Sequence, residues 1–463
     1  MFPNPQDALP LPLRPNLEQY RKLAKELVKV CKSGNAASLY EWVSEWIGNL
    51  VRLSGLAIIP HLPVENRRWI NEVNEFATRK LFSEEGECTL ANAQFVIARS
   101  HGFISWPGLA KHIEQLSSNS SAVAQFEQAA DAIVSGNLRT LKRLLRENPK
   151  LVRERSTREH CATLLHYTSA NGIEGYRQKT PKNIVEIARH LLKSGAQVDA
   201  EADVYGGGCT TLGLAATSVH PEVAGVQEAL LQLLLDQGAL IEKPNLAGNR
   251  HPAVIACLAN GRPRAAEFLS SRGAQLDLES AAGLGQIDVV KTFFDPDGSL
   301  KPPATKTQLQ KGFLWACMYG RENAVVFLME HGANFLDRAD SGATALHWAA
   351  GGGHLSIVRL LLDRGAPLEE INTWGGTVLE HAGWGFEHCA PDTDFTPVFD
   401  ALLAAGATMR GRWLPWLRRV KGRSLAEKKR VAEVLRRYAA SRTTCGVSAQ
   451  AGCAGSPRQA YVI

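Results

Sequence analysis

The sequence predicts an all-α fold: a solenoid of about eight helix-turn-helix units with short β-hairpin fingers, flanked by an N-terminal helical domain and a C-terminal capping helix. Two observations lead to this prediction. Apolar segments that end in Gly-Ala recur along the chain, as in LMEHGANFL at 328 and LLLDRGAPLE at 360. Two of these glycines, Gly332 and Gly365, lie 33 residues apart, which is the length of a unit with two short helices.

Ahead of the repeats, residues 16–116 read as four or five amphipathic helices without the 33-residue period. The stretch PNLEQYRKLAKELVKVCKSG places apolar residues on one helical face, and Thr89 is placed to cap a later helix. The segment from Thr89 to Ile113, with Gly102 in its turn, is also compatible with a DNA-binding helix-turn-helix. Because the first 120 residues hold 13 Lys/Arg against 12 Asp/Glu, they lack a basic footprint, and we favour a packed helical cap.

Within the repeats, the stretch TALHWAAGGGH at 344–354 is the most regular. Thr344 is placed as the N-cap of a helix, with His347 three residues later to complete the cap. Ala349 and Ala350 are small enough for neighbouring helices to approach closely. The glycines Gly351–Gly353 then allow a reversal into a second helix, and Gly365 takes the left-handed position after it.

This stretch resembles the ankyrin repeat, whose T-P-L-H-x-A-A-x-x-G-H core it matches with only the proline replaced. Other units are degenerate, such as TLLHYTSANG at 163, and the helical N-terminal region is similar to that of some bacterial ankyrin-repeat proteins. The resemblance implies an ankyrin-repeat solenoid that acts as a protein-binding scaffold rather than as an enzyme.

The predicted organisation has six parts. These are a flexible N-terminus at 1–15, a helical domain at 16–116, a linker at 117–123, the repeat stack at 124–410, a basic capping helix at 411–441 and a disordered tail at 442–463.

The composition favours a cytoplasmic protein, expected to be a monomer. No run of about eighteen apolar residues is present, and the first residues lack the pattern of a secretory signal. Nine cysteines lie far apart without a CxxC pair, which predicts reduced thiols, several of them in the core.

No recognised catalytic motif occurs: the sequence has no GxSxG, no Walker loop and no HExxH. We therefore expect no enzymatic activity, no cofactor and no metal, and an enzyme with an unrecognised site remains the remote alternative. The stretch GWGFEHCAPDTD at 383–394 could supply metal ligands together with His381, but its spacing matches no known ligand set, and a polar insertion is favoured.

The residues predicted to bind a partner protein cluster at the finger tips. They are Asp203, Tyr205, Asn245, Arg250, Arg338, Asp340, Asn372 and Trp374. Trp374 is the favoured anchor because an exposed indole often dominates an interface, although Asp and Asn at such tips are equally often turn formers.

The basic end supplies an alternative function. Between Arg410 and Arg442 there are twelve Lys/Arg against two Glu. One interpretation is a cap for the last repeat, with Leu425, Ala432, Leu435 and Tyr438 as its apolar stripe. The other is a patch that recruits nucleic acid, anionic lipid or an acidic protein, formed by Arg418, Arg419, Lys428, Lys429, Arg436 and Arg437.

Overall fold

The computed structural model describes residues 2–55, 62–82, 87–118, 120–243 and 252–443. These residues divide into two compact units, Met1–His251 (unit 1) and Pro252–Ile463 (unit 2), which are described separately below. In the described parts of both units the regular structure is helical apart from two strands of two residues each, which confirms the predicted all-α class.

Unit 1 contains eleven α-helices in its described residues. They are α1 Leu17–Lys32, α2 Ala36–Ser54, α3 Leu62–Leu81, α4 Leu90–Ser100, α5 Trp106–Leu116, α6 Ala122–Val134, α7 Leu138–Glu147, α8 Ile184–Lys193, α9 Thr211–Thr217, α10 Val219–Val223 and α11 Gln227–Asp236. The strands β1 Glu201–Ala202 and β2 Cys209–Thr210 pair antiparallel in a hairpin finger. Short 3-10 helices lie at Pro5–Asp7, Pro149–Arg153, Leu164–Thr168 and Gly175–Arg177.

The helices α1–α5 share one apolar core, with Leu27, Val43 and Ile97 fully buried. Two residues of the segment predicted to be a flexible N-terminus, Phe2 and Leu9, are buried within this core, whereas Leu13 is exposed. The Leu9 amide also donates to the Ser100 carbonyl at 2.8 Å, so the terminal segment lies along the end of α4.

A disulfide joins Cys31, at the end of α1, to Cys88, just before α4, with 5.6 Å between the Cα atoms. The prediction of reduced thiols was wrong for this pair, because packing brings together two residues 57 positions apart. Cys257 and Cys317 are buried, as expected of cysteines in the core.

The helices α4 and α5 form the segment that was compatible with a helix-turn-helix. Thr89 caps α4, accepting the Asn92 amide at 3.2 Å, and Gly102 makes the turn with a φ of 77°. His101 in this turn is buried, with Nδ1 3.1 Å from the Leu9 carbonyl oxygen and Nε2 3.1 Å from the Tyr20 hydroxyl. Leu109 on α5 is buried too, which favours the packed cap.

Unit 2 contains twelve α-helices in its described residues. They are α12 Ala253–Ala259, α13 Pro263–Ser271, α14 Leu278–Leu284, α15 Ile287–Lys291, α16 Lys306–Met318, α17 Glu322–Glu330, α18 Ala345–Gly351, α19 Leu355–Asp363, α20 Val378–His388, α21 Thr396–Ala404, α22 Trp413–Arg419 and α23 Leu425–Thr443. The first helix of each repeat packs on the next first helix, in the order α14, α16, α18, α20.

The helix cap and the small residues predicted for the repeat at 344 are present in the structure. The hydroxyl of Thr344 lies 2.9 Å from Nδ1 of His347, which also accepts the Thr344 amide at 3.2 Å. Ala349 is fully buried, and a side chain at Gly351 would collide with the ring of His381 on the next repeat. Small residues are therefore required where consecutive first helices meet.

The last helix, α23, packs on α21 through Val431, Ala432, Val434 and Leu435. Leu425, predicted to join this apolar stripe, is instead 70% exposed at the first turn of the helix. Of the other predicted stripe residues, Ala432 and Leu435 are buried and Tyr438 is half-buried against the same core, so the prediction was wrong for Leu425 only. Among the helices of the described residues, none combines the length and apolar character needed to cross a membrane.

Candidate functional site

The candidate surface in unit 2 is formed by two adjacent fingers, residues 333–343 and 366–376. Each finger reverses in a tight turn, closed by the Ala339 amide on the Ala343 carbonyl at 2.9 Å and by the Asn372 amide on the Gly376 carbonyl at 3.0 Å. The fingers are also joined to each other, because the Thr373 amide donates to the Ser341 carbonyl at 2.9 Å. Backbone hydrogen bonds thus hold the two tips as one surface.

Ion pairs continue this connection along the row of fingers. Arg338 on the first finger pairs with Glu370 on the second and also donates to the Ile371 carbonyl at 3.3 Å. Glu369 in turn pairs with Arg410 on the following finger at 3.0 Å. These side chains are largely exposed, so each pair contributes little free energy and serves mainly to orient the tips.

Three large apolar side chains project from the same two fingers. Leu336 is 52% exposed, Ile371 is 45% exposed and Trp374 is 41% exposed. Most surface apolar residues occur singly, whereas these three lie on adjacent, connected tips and form one exposed apolar surface.

Of the unit 2 residues predicted to bind a partner, Arg338, Asp340 and Trp374 lie on this surface. Asn372 does not, since its side chain is only 5% exposed. Its Oδ1 accepts the amides of Trp374 at 3.1 Å and Gly376 at 2.9 Å, which makes it the turn former of the second finger. Asn372 therefore positions Trp374 and is unavailable to a partner.

The predicted tip residues of unit 1 lie on the hairpin finger between β1 and β2. Asp203 and Tyr205 are exposed, and the Tyr205 hydroxyl lies 2.9 Å from Gln6 Oε1 and 2.8 Å from Asn171 Oδ1. Partial burial raises the pKa of Tyr205 to about 12. This ring is engaged with its own unit, and the predicted residues Asn245 and Arg250 lie outside the described residues.

The basic residues of α22 and α23 differ from one another in their contacts. Arg437 pairs with Asp400 on α21, and the Lys428 ammonium donates to the Val420 carbonyl. Arg418, Arg419, Lys429 and Arg436 are exposed and form no ion pair with any residue that the structure describes. The predicted patch is thus reduced to these four cations.

Another basic side chain of this region, Arg423, is buried and holds the segment after α20. Its guanidinium donates to the carbonyls of Phe386 at 2.6 Å, Pro391 at 2.9 Å, Thr393 at 2.9 Å and Cys389 at 3.3 Å. Arg423 therefore holds, through these hydrogen bonds, the stretch at 383–394 that could supply metal ligands. Within the described residues, no three His, Cys, Asp or Glu side chains come together as a metal site would require.

The sequence did not predict a buried ionic cluster in unit 1. Arg158 lies 2.7 Å from Glu127 and 3.2 Å from Glu174, while Arg177 lies 2.8 Å from Glu127. His160 Nε2 is 3.1 Å from the same Glu174 oxygen, and all five residues are buried. Burial alone raises the pKa of Glu127, but Arg158 and Arg177 outweigh it and lower that pKa to about 2.

The cluster lies between the short first helix of this repeat and its second helix. After the cap at Thr163 the 3-10 helices Leu164–Thr168 and Gly175–Arg177, with the loop that joins them, carry Glu174 and Arg177 inward before α8 begins at Ile184. The only signal in the sequence was charge in STREH and GIEGYR, where a repeat needs apolar residues. A small surface cavity lined by Phe126, Glu127 and Arg155 reaches Glu127 but none of the other four members, and every member is paired within the cluster, which favours a structural role.

Comparison with known proteins identifies part of the chain. Residues 278–373, which span α14 to the second finger, match the family model of ankyrin repeats in three copies. Among solved structures, the chain is similar to the crystal structure of the ankyrin repeat domain of Bcl-3, titled a unique member of the IkappaB protein family. That similarity has 23% sequence identity, covers 55% of this chain and 93% of that chain, and has a TM-score of 0.28. Nothing among the curated proteins matches the chain.

Proposed function

We propose that this ankyrin-repeat protein is a non-catalytic interaction scaffold that binds a partner protein through the fingers and first helices of unit 2. Ankyrin repeats are generally protein-binding modules and typically carry no catalytic site. The observation that carries the proposal is the exposure of Leu336, Ile371 and Trp374 on two fingers that are hydrogen-bonded to each other.

The fixed backbone of these fingers favours binding. A surface loop that must become ordered on association loses conformational entropy, which lowers its affinity. Here Asn372 and the Thr373–Ser341 hydrogen bond already hold the tip that presents Trp374. An indole presented in this way is a typical interface anchor.

The test is capture of partners by the full-length protein from the extract of its native cells, followed by their identification. Replacing both Trp374 and Arg338 by Ala is expected to reduce partner capture at least tenfold, which is the loss typical of one interface anchor. The matched control is Leu425→Ala, which removes an even more exposed apolar side chain from α23 and is expected to leave capture unchanged. Equal capture by the double variant and the wild type would place the interface elsewhere.

A second candidate function rests on the four unpaired cations of α22 and α23. Charges of one sign without neutralising neighbours attract anionic surfaces, so this end of unit 2 is suited to nucleic acid or anionic lipid. The test replaces Arg418, Arg419, Lys429 and Arg436 with Gln and measures binding to generic duplex DNA and to anionic vesicles across a salt series. The matched control replaces the exposed lysines Lys22, Lys25, Lys29 and Lys32 of α1 with Gln.

If the second function is correct, the wild type binds one of these surfaces with an affinity that falls steeply with salt. The Gln variant of α22 and α23 loses that binding, whereas the α1 variant keeps it. Binding that is absent or independent of salt in the wild type leaves α23 as a cap alone.

A further inference from the structure

The two adjacent fingers of unit 2, residues 333–343 and 366–376, are called the finger surface below, and they carry an excess of negative charge. Their sequence contains one cation, Arg338, and four carboxylates. The carboxylates are those of Asp337, Asp340, Glu369 and Glu370. The surface that presents the three exposed apolar side chains is therefore acidic.

Two of the four carboxylates are neutralised within the chain. Glu370 pairs with Arg338, and Glu369 pairs with Arg410 on the following finger. A charge inside such a pair is compensated by its neighbour and attracts a further ion only weakly. The negative charge that is left on the finger surface belongs to the first finger.

The other two carboxylates, Asp337 and Asp340, are exposed and have no compensating cation. Neither forms an ion pair with any residue that the structure describes. Asp337 accepts a hydrogen bond from Asn334 Nδ2 at 2.7 Å, which positions its carboxylate without neutralising it. The tip of the first finger thus presents two uncompensated negative charges in fixed backbone turns.

The uncompensated charge lies close to the exposed indole of the second finger. The Thr373 amide and hydroxyl both donate to the Ser341 carbonyl, at 2.9 Å and 3.0 Å. Asp340 directly precedes Ser341, and Trp374 directly follows Thr373. Covalent geometry then places the Cα atoms of Asp340 and Trp374 no more than about 14 Å apart, which an extended chain spans in about four residues. One short segment of a partner can therefore contact the carboxylate and the indole together.

This combination of charge and apolar surface restricts the chemistry of the partner. A carboxylate on the partner would meet Asp337 and Asp340 as a like charge, which costs free energy on association. The same repulsion disfavours the phosphates of nucleic acid. Arginine or lysine complements the two carboxylates, and large apolar side chains complement the exposed indole and aliphatic groups.

We propose that the finger surface of unit 2 recognises a segment of a partner protein in which an arginine or lysine lies within about four residues of large apolar side chains. The basic side chain lies against Asp337 and Asp340. The apolar side chains cover Leu336, Ile371 and Trp374. This proposal rests on the proposed protein-binding function and specifies the chemistry of the partner.

The experiment selects ligands from a random library of twelve-residue peptides displayed on phage, with the full-length protein as bait. The library is first depleted on the Leu336→Ala, Trp374→Ala double variant, which removes peptides that bind elsewhere on the chain. The remaining peptides are expected to contain more Arg and Lys than the unselected library, within about four positions of a large apolar residue. A selected pool without this excess, or an empty pool, overturns the proposal.

Synthetic versions of the selected peptides are then titrated by calorimetry against the wild type and against the Asp337→Asn, Asp340→Asn double variant. Asparagine keeps the size and the oxygen acceptor of each side chain and removes only the charge. At low salt this variant is expected to bind about five- to tenfold more weakly than the wild type, and the difference is expected to shrink as salt screens the charges. Equal affinities at low salt contradict the proposal.

The matched control is the Glu322→Gln, Glu330→Gln double variant, which removes two exposed carboxylates from α17, a second helix of the stack. No change in peptide affinity is expected, and a loss as large as that of the Asn variant would assign the effect to overall charge and overturn the proposal. Reversing the charge provides a second test. Selection on the Asp337→Lys, Asp340→Lys double variant is expected to enrich Asp and Glu instead of basic residues.

The two proposals fail in different ways. Loss of partner capture in the Trp374, Arg338 variant together with unchanged peptide affinity in the Asp337, Asp340 variant keeps the interaction scaffold and rejects the basic partner segment. Undiminished capture in the Trp374, Arg338 variant rejects the finger surface as the interface, and the basic partner segment with it.

Discussion

The two regions that begin at Thr163 in unit 1 and at Thr344 in unit 2 start with the same cap and continue differently. In both, a threonine hydroxyl lies 2.9 Å from Nδ1 of a histidine three residues later, and both histidines are fully buried. After Thr344 a regular α-helix and a second helix follow. After Thr163 the chain turns through 3-10 helices and buries Glu174 and Arg177.

The comparison shows that the sequence specifies the N-terminal cap of a repeat independently of the helices that follow the cap. The cap needs two residues three positions apart, and its energy is local. The body needs apolar residues at helical spacing, and after Thr163 the segment between the short first helix and α8 carries charged residues that pair in a buried ionic network. Each prediction below distinguishes the ionic region from the regular one.

The largest effect is expected in the ionic cluster of unit 1. Replacing Arg158 with Met leaves Glu127 and Glu174 buried with one fewer cation, which is expected to lower the free energy of unfolding by about 3–5 kcal/mol. The matched change in unit 2 is Arg338→Met, which breaks the exposed pair with Glu370 and is expected to lower it by less than about 1 kcal/mol. Urea unfolding measures both, and equal losses would contradict the comparison.

The next effect concerns the disulfide, which is present in the described part of unit 1 and not of unit 2. Opening Cys31–Cys88 releases a loop of 57 residues in the unfolded chain, so reduction is expected to destabilise unit 1 by about 2–4 kcal/mol. Hydrogen exchange is measured with and without a phosphine reductant. The reductant is expected to lower the protection of amides in α1–α5 and to leave the protection in α16–α20 unchanged. The Cys31→Ser, Cys88→Ser double variant should show the same loss and no further response to reductant.

Lowering the pH is expected to destabilise the two units over different pH ranges, because the buried groups that titrate differ between them. Burial lowers the pKa of His166 and of His347 to about 4. Below pH 6.5 the unfolded chain binds protons that the folded caps do not, so both units lose stability as pH falls from 6.5 to about 4, by up to about 3 kcal/mol per histidine. Unit 1 loses more as pH falls from 4.5 to about 2, because Glu127 must then be protonated.

Hydrogen exchange measured peptide by peptide after acid incubation assigns each decline to its unit. Glutamine also serves at the third position of a capping box, so His347→Gln keeps the cap without titrating and is expected to flatten the first decline in unit 2. An unchanged slope in that variant would show that other groups control acid stability there.

The smallest effect tests the feature that the two regions share. Replacing Thr163 or Thr344 with Ala removes one cap and is expected to cost about 1 kcal/mol in either unit. The control is Thr307→Ala, an exposed threonine inside α16, with an expected change within about 0.5 kcal/mol. Clearly different losses for Thr163 and Thr344 would show that the body of the repeat alters the strength of its cap.

The sequence predicted what depends on neighbouring residues. The Thr344 cap, the small Ala349 and the turn at Gly351–Gly353 follow from local spacing, and the structure has them. The family match over 278–373 covers this same regular part. Periodicity is therefore most informative where the repeat is least altered.

What the sequence did not predict depends on contacts between distant positions. Arg158 meets Glu127 from 31 residues away, and Cys31 meets Cys88 from 57 residues away, and no periodic pattern encodes either pairing. The stripe predicted on α23 was correct for Ala432, Leu435 and Tyr438 and wrong for Leu425, which is 70% exposed at the first residue of the helix. Helical spacing gives the apolar face but not where along the helix the contact with the last repeat ends.

Because Arg423 is buried, the segment after α20 and the terminal helix α23 can be exchanged between proteins only together. The Arg423 guanidinium donates to the Phe386 carbonyl within α20 and to three carbonyls of the segment that follows it, and α23 begins two residues after Arg423. A recombination event that transplanted the insertion without Arg423 and the terminal helix would leave those carbonyls without their shared donor. A graft of Arg423 and the terminal helix alone would leave the guanidinium with Glu427 as its acceptor in place of four carbonyls. In exchanges of repeats between proteins, this end of the chain therefore behaves as a single module.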